Sequence, residues 1–357
     1  MIAVVVREMP YLKILAPIMK EFGIVNEKYI LYYMDNYKGA KEYARPTIGR
    51  ITKSNPEILK YATKTKAFAD DTQLLSQLIQ DKITKLVSLE VYLWAKNYIN
   101  KLKKYNIKVY NILYLSDSLW NIDPRCITDC DKIYYATTYL KDTHLSFLKI
   151  QEDLNRDNCP GSPIFDCIKQ STGSSVLVLL PNLKTEHVSL AFGDKKRFIS
   201  IIKALSNNNK LIIKTRKKQW FPEELRVFTQ DIYDDGDIMY PSVISELFKK
   251  THATVMFYSS GVYEAVFAGQ YVVNIPINLK RWSWDKKRMG QYFSNNMGSL
   301  YNFDGVVESV SQEDVLSDKW QLKNSLNQTA RQDWLDKFIG FNHHNGTKII
   351  VNSVINS

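Results

Sequence analysis

Two patterns of apolar residues alternate along this chain. Short runs rich in Val, Ile and Leu are typical of strands buried in a parallel sheet, whereas longer stretches carry apolar residues at helical spacing. The first pattern predicts strands over residues 2–6, 28–34, 86–93, 108–115, 132–138, 176–180 and 210–213. The second predicts helices over residues 10–22, 72–83, 96–105, 195–205 and 240–250. This alternation predicts an α/β protein with doubly wound parallel sheets.

The pattern of the segment 254–276 predicts a strand, a loop, a short helix and a second strand in succession. Its apolar run 255–257 is interrupted by Ser259, Ser260 and Gly261, and residues 262–268 form a helix-compatible stretch that Gly269 ends. A loop of small residues that opens a helix presents backbone N–H groups, and phosphate binds readily there. The alternative is a strand-turn-helix with a purely structural role.

Glu264 lies one turn into that predicted helix. Its carboxylate could accept hydrogen bonds from ribose hydroxyls, or it could face solvent. The loop Ser259–Ser260–Gly261, followed by Glu264 and Gly269, resembles the donor-nucleotide loop of UDP-N-acetylglucosamine 2-epimerases and of GT-B glycosyltransferases. The resemblance implies that the loop holds a diphosphate and that Glu264 holds the ribose.

Three further segments carry the resemblance, and one of them is the C-terminal GFNHHNGTKIIVNSVI, which is similar to the Gly-rich turn and final helix of the 2-epimerases. The stretch VREMPYLKILAPIMKEF near the N-terminus is similar to the opening of the 2-epimerases, with matches at Arg7, Ala16, Pro17 and Lys20. The stretch GSPIFD, residues 161–166, matches the Gly-x-Pro-x-x-Asp segment that leads into the second domain of GT-B proteins. The resemblance therefore implies two Rossmann-like domains facing across a cleft, 1–160 on the acceptor side and 161–335 on the donor side. It also implies a C-terminal helix, 336–357, that returns to the first domain.

The chain departs from the epimerases in its catalytic half. Their His-Arg-Arg-Glu-Asn segment is replaced by LLPNLKTEHVSL, which favours glycosyl transfer over epimerisation. A carboxylate of the first domain would then activate the acceptor hydroxyl, and the candidates are Asp117, Glu8 and Glu90. Each of them could equally be a surface carboxylate.

Positive charge for the donor diphosphate is available without a metal ion. The run that begins Lys214–Thr215–Arg216 follows a predicted strand, and Arg7 follows the first strand, from which we expect it to reach the donor phosphates. We therefore expect no cofactor and no metal, with a nucleoside-diphosphate sugar, most simply of UDP, as the donor. The alternative for the basic run is a solvated turn.

The chain has a formal net charge of +11 at pH 7, from 48 Lys and Arg against 37 Asp and Glu. This surplus is compatible with an anionic acceptor, such as nucleic acid or a glycan at a membrane surface, and with a surface that is merely solubilising. The chain begins without a signal-peptide pattern and has no apolar run of membrane-spanning length, so we expect a cytoplasmic protein. A 2-epimerase-like enzyme, a viral-type DNA-base glycosyltransferase and a binding module without catalysis remain as alternatives.

Overall fold

A computed structural model describes most of the chain. The described residues are 1–35, 45–89, 98–113, 129–150, 159–168, 170–181, 185–215, 221–234, 242–278, 296–317, 320–323, 326–340 and 345–357. The chain forms two compact units, the first containing Met1–Cys167 and Asp336–Ser357, and the second containing Ile168–Gly236 and Ser242–Leu335. Each unit has its own sheet and its own core.

The first unit is a six-stranded parallel sheet with the strand order β3-β2-β1-β4-β5-β6. Its strands are β1 (Ile2–Val6), β2 (Tyr29–Met34), β3 (Ala62–Phe68), β4 (Lys85–Leu89), β5 (Lys108–Ile112) and β6 (Lys132–Tyr134). Its helices are Leu12–Ile24, Ile48–Ser54, Asp71–Gln80, Tyr98–Lys104, Thr138–Leu148 and Gly346–Ile355, with 3-10 turns at Met9–Tyr11, Pro56–Lys60 and Pro163–Cys167. Every residue of β1 is buried, as expected for a central strand covered on both faces.

The second unit repeats this architecture, with the order β12-β11-β10-β7-β8-β9. Its strands are β7 (Ser175–Leu179), β8 (Leu211–Lys214), β9 (Asp231–Tyr233), β10 (Thr251–Met256), β11 (Tyr271–Asn274) and β12 (Val307–Ser309). Its helices are Thr185–Phe192, Lys195–Ser206, Val243–Phe248, Gly261–Phe267 and Gln312–Leu316, with a 3-10 turn at Glu223–Phe228. The helix Gln328–Phe338 follows as the chain leaves this unit.

The last helix, Gly346–Ile355, packs within the first unit against the helix Leu12–Ile24. Its buried face carries Ile350, Val351 and Val354. Gly346 permits a close approach at the start of this helix, because a Cβ there would lie 2.8 Å from the carbonyl oxygen of Gly161. The prediction of two doubly wound α/β units with a C-terminal helix returning to the first is confirmed.

The predicted elements are mostly in place, with some differences at their ends. The predicted strand 132–138 ends at Tyr134, because the side chain of Thr137 accepts a hydrogen bond from the backbone N–H of Leu140 and caps a helix that begins at Thr138. The predicted strand 86–93 is observed over Lys85–Leu89, and the rest of that prediction falls outside the described residues. In the part of the chain that the structure describes, no helix is long and apolar enough to cross a membrane.

Candidate functional site

The strand order reverses at one point in each sheet, and ligands of open α/β sheets bind beyond the carboxyl ends of the strands at such a point. In the first unit the reversal lies between β1 and β4, and in the second between β7 and β10. Arg7 and Glu8 directly follow β1, and the loop Ser259–Ser260–Gly261 follows β10. The topology therefore places Arg7 and Glu8, and the loop Ser259–Ser260–Gly261, at the carboxyl edge of the sheet in their own units.

The loop Ser259–Ser260–Gly261 is a compact turn seated against the end of β7. The Ser259 Oγ accepts a hydrogen bond from the Gly261 N–H at 3.2 Å, so this hydroxyl shapes the turn. The half-buried Ser260 side chain makes no hydrogen bond with any part of the chain that the structure describes. Gly261 packs closely at this point, because a Cβ there would lie 2.5 Å from Cδ1 of Leu179 and would displace that buried side chain.

The helix Gly261–Phe267 has seven residues, all of them buried. It ends as predicted at Gly269, whose φ of +84° and hydrogen bond to the Val266 carbonyl, together with that of the Gln270 N–H to the Ala265 carbonyl, form a Schellman motif. The short length limits the helix dipole, so the loop hydroxyls and N–H groups are the main donors at this edge.

Glu264 is only 5% exposed and accepts a hydrogen bond from the Ser242 Oγ at 3.5 Å. This burial argues against the alternative of a solvent-facing side chain. A buried carboxylate is costly unless polar groups compensate it. Glu264 is therefore a fixed acceptor within the second unit, one turn from the loop.

The basic run is only partly described. Lys214 is the last residue of β8, its carbonyl accepts a hydrogen bond from the Leu180 N–H at 3.0 Å, and Thr215 donates its N–H to the Tyr233 carbonyl at 2.8 Å. Because β8 neighbours β7, Lys214 and Thr215 lie at the same edge of the sheet as the end of β7. Arg216 lies outside the described residues.

Arg7 is 4% exposed, and its guanidinium forms an ion pair with Asp71. It also donates to the Met34 sulfur at 3.8 Å and lies 5.5 Å from the ring centroid of Phe68. Burial lowers the pKa of Arg7, and Asp71 opposes that effect. Asp71 was not predicted, because it opens a helix after β3, a polar edge strand that the apolar pattern did not reveal.

Glu8 follows Arg7 and is half-buried. Burial raises the pKa of its carboxyl group above the ordinary value. Of the three predicted catalytic carboxylates it is the one that the structure describes, since Asp117 and Glu90 lie outside the described residues. Within the described ranges, no three or more His, Cys, Asp and Glu side chains are grouped so that they could hold a metal ion.

The two Rossmann-like units give the chain the GT-B fold. Among solved structures, the chain is similar to the UDP-GlcNAc 2-epimerase from Neisseria meningitidis bound to UDP-GlcNAc, with a TM-score of 0.59, 12% identity and full coverage of both chains. It is also similar to the wall teichoic acid polymerase TagF, with a TM-score of 0.57, 14% identity and coverage of 99% of this chain and 88% of that one.

A third similar structure is the UDP-GlcNAc 2-epimerase from Methanocaldococcus jannaschii in complex with UDP-GlcNAc and UDP. Its TM-score is 0.52 at 13% identity, with coverage of 100% of this chain and 99% of that chain. No protein-family model and no curated protein sequence matches the chain. At these identities the likeness is one of fold.

Proposed function

We propose that this protein is a glycosyltransferase that moves a sugar from a nucleoside-diphosphate sugar, with UDP as the favoured nucleotide, to an acceptor hydroxyl. One observation carries the proposal. The Ser260 hydroxyl, without a partner in the described chain, stands at the topological switch point of the second unit. Similar structures of the same fold contain UDP-GlcNAc or UDP.

The second unit would bind the donor. Ser259 and Ser260 would contact the diphosphate, and the Gly261 N–H would exchange its hydrogen bond to the Ser259 Oγ for one to a phosphate oxygen. Buried Glu264 would accept hydrogen bonds from the ribose hydroxyls. Lys214, Thr215 and Arg216 would supply positive charge and a further donor for the leaving diphosphate. These groups would stabilise the charge that develops on the diphosphate, so the reaction would not depend on a metal ion.

The first unit would bind the acceptor. A carboxylate would remove the proton from the acceptor hydroxyl while that oxygen bonds to the anomeric carbon and the bond to the diphosphate breaks. We place Glu8 first for this role, because its raised pKa brings the carboxylate closer to the working pH. Asp117 and Glu90 are the other candidates. Arg7 would contact an anion only by sharing its guanidinium with Asp71.

An anionic acceptor, either nucleic acid or a membrane-surface glycan, fits the positive charge of +11. Binding that weakens steeply between 50 and 200 mM salt would support such an acceptor.

Epimerisation is the second candidate, because two of the similar structures are UDP-GlcNAc 2-epimerases. The two activities differ in their need for an acceptor. An epimerase converts UDP-GlcNAc without any second substrate, whereas a transferase releases UDP at a rate that depends on the acceptor. Product analysis of UDP-GlcNAc incubated with the protein alone therefore separates them.

Calorimetric titration with UDP tests the donor site. Ser260→Ala should weaken UDP binding by roughly 10- to 100-fold, because a lost hydrogen bond to a charged group costs about 1.5–3 kcal/mol. Ser206→Ala is the matched control, since among the described residues its hydroxyl bonds only to the Lys203 carbonyl, at 2.7 Å. The proposal fails if the wild-type protein binds no nucleoside diphosphate. Where turnover is found, excess chelator should leave its rate nearly unchanged.

A further inference from the structure

Tyr258, which joins β10 to the loop Ser259–Ser260–Gly261, has an unusual backbone. Its φ is +51°, in the left-handed region that few residues other than glycine adopt. A bulky aromatic residue in this region is held there by its surroundings. The direction in which the chain leaves β10, and therefore the position of Ser260, depends on this conformation.

Asn274, on the neighbouring strand, fixes the Tyr258 backbone by a hydrogen bond. It is the last residue of β11 and has no exposed surface, and its Oδ1 accepts a hydrogen bond from the Tyr258 N–H at 2.9 Å. The Asn274 backbone is itself fixed, because its carbonyl accepts from the Val310 N–H at 3.0 Å. The Tyr258 ring packs edge-on against buried Tyr301, with 5.2 Å between the ring centroids.

The asparagine at this position carries a local cost. Its Nδ2 group is buried and makes no hydrogen bond with the described residues, and an unsatisfied buried donor is destabilising. An aliphatic side chain would remove that unsatisfied donor and would also remove the oxygen that Tyr258 needs. The polar residue is explained if the geometry of the loop matters more than this local cost.

We infer that Asn274 is a positioning residue for nucleotide binding, which holds Tyr258 in its left-handed conformation and so orients Ser260 toward a diphosphate. This inference rests on the proposed donor site. Asn274 acts through Tyr258 and does not itself touch the ligand.

The test compares UDP and uridine binding by calorimetry in a set of variants. Asn274→Ala should weaken UDP binding about tenfold or more and uridine binding much less, because the misplaced loop serves the diphosphate. Tyr258→Gly should bind UDP within about threefold of wild type, because glycine adopts the left-handed region without strain. In the Tyr258→Gly background, Asn274→Ala should then have little further effect.

Gln270→Ala is the matched control. Gln270 is equally buried at the other end of β11, where its Nε2 donates to the Thr251 carbonyl at 3.0 Å. This variant should lower thermal stability without changing the ratio of UDP to uridine affinity. The inference would be overturned if Gln270→Ala lowered UDP affinity as much as Asn274→Ala does. It would also be overturned if Asn274→Ala still lowered UDP affinity about tenfold in the Tyr258→Gly background.

Amide hydrogen exchange of the peptide 257–261 separates this inference from the donor-site proposal. The Tyr258 amide should be protected in the wild type and unprotected in Asn274→Ala, whether or not UDP is present. If the wild type binds no UDP, the proposed function fails. The exchange rate of the Tyr258 amide would still show whether Asn274 holds the Tyr258 backbone in place. An unprotected Tyr258 amide in the wild type overturns the inference.

Discussion

At the scale of single residues, Arg7 and Glu8 differ in how their charges are compensated. Both follow β1, but Arg7 is paired with Asp71, whereas burial is the cause that raises the pKa of Glu8. A carboxylate that is partly desolvated at a ligand-binding edge destabilises the folded protein and is typical of a residue with a chemical role. The sequence could place both residues at the edge, because they directly follow an apolar run. The ion pair with Asp71 depends on the fold and could not be predicted.

Glu8→Gln should therefore change how stability depends on pH. Because the folded pKa of Glu8 is raised, the folded protein keeps a proton that the unfolded chain has released, so the free energy of unfolding falls as pH rises through that range. Glu8→Gln has no titrating group at this position, so its free energy of unfolding does not fall for this reason. We expect it to melt at a higher temperature than wild type at pH 7.5, with the difference vanishing near pH 4.

Thermal melts at the two pH values provide the measurement, with Glu57→Gln as the control because Glu57 is an exposed carboxylate. Equal responses of the two variants would contradict the account of Glu8. In a transferase assay, loss of a general base should lower the rate by about 100-fold or more.

At the scale of elements, the central strands were predictable from their apolar runs, whereas three of the four edge strands, β3, β9 and β12, were not. The buried strands β1 (IAVVV) and β7 (SVLVL) are almost entirely apolar, whereas β3 reads ATKTKAF and has one buried residue among exposed and half-buried ones. Lysines along an edge strand discourage pairing with other chains, and they also hide the strand from an apolar pattern. The edge strands β9 and β12 have three residues each, too few to show any alternation.

The last helix of the chain has a cation at its C-terminal end. The Lys85 Nζ, at the start of β4, donates to the Val354 carbonyl at 2.7 Å and to the Ile355 carbonyl at 2.8 Å. A cation at this end satisfies free carbonyl groups and compensates the helix dipole.

Lys85→Met should lower the free energy of unfolding by about 1–2 kcal/mol, because it removes these bonds and keeps the apolar stem. Lys108→Met is the control, since Lys108 begins the adjacent strand β5 and is exposed. Urea titration of both variants is the measurement. A Lys85→Met variant no less stable than Lys108→Met would show that the cap contributes nothing.

At the scale of the whole molecule, the first unit is completed by the end of the chain. Residues Asp336–Ser357 belong to it, although the second unit lies between them and Cys167 in sequence. Only a resemblance predicted this return, because the apolar pattern of a helix does not specify the element against which it packs. The contact with the helix Leu12–Ile24 shows where its buried face packs.

Removal of residues 346–357 should therefore weaken the first unit before the second. The deletion exposes the apolar surface that Ile350, Val351 and Val354 cover. We expect amide exchange to rise in β1 and β4, while β7 and β8 keep their protection. Equal loss of protection in both sheets would contradict an assignment of this helix to the core of the first unit.

The most direct test of the central claim is a crystal structure of the protein grown with saturating UDP. The account predicts the diphosphate within hydrogen-bond distance of the Ser260 Oγ and the Gly261 N–H, with the ribose hydroxyls on the Glu264 carboxylate. UDP bound elsewhere on the chain, with the loop Ser259–Ser260–Gly261 unoccupied, would contradict it.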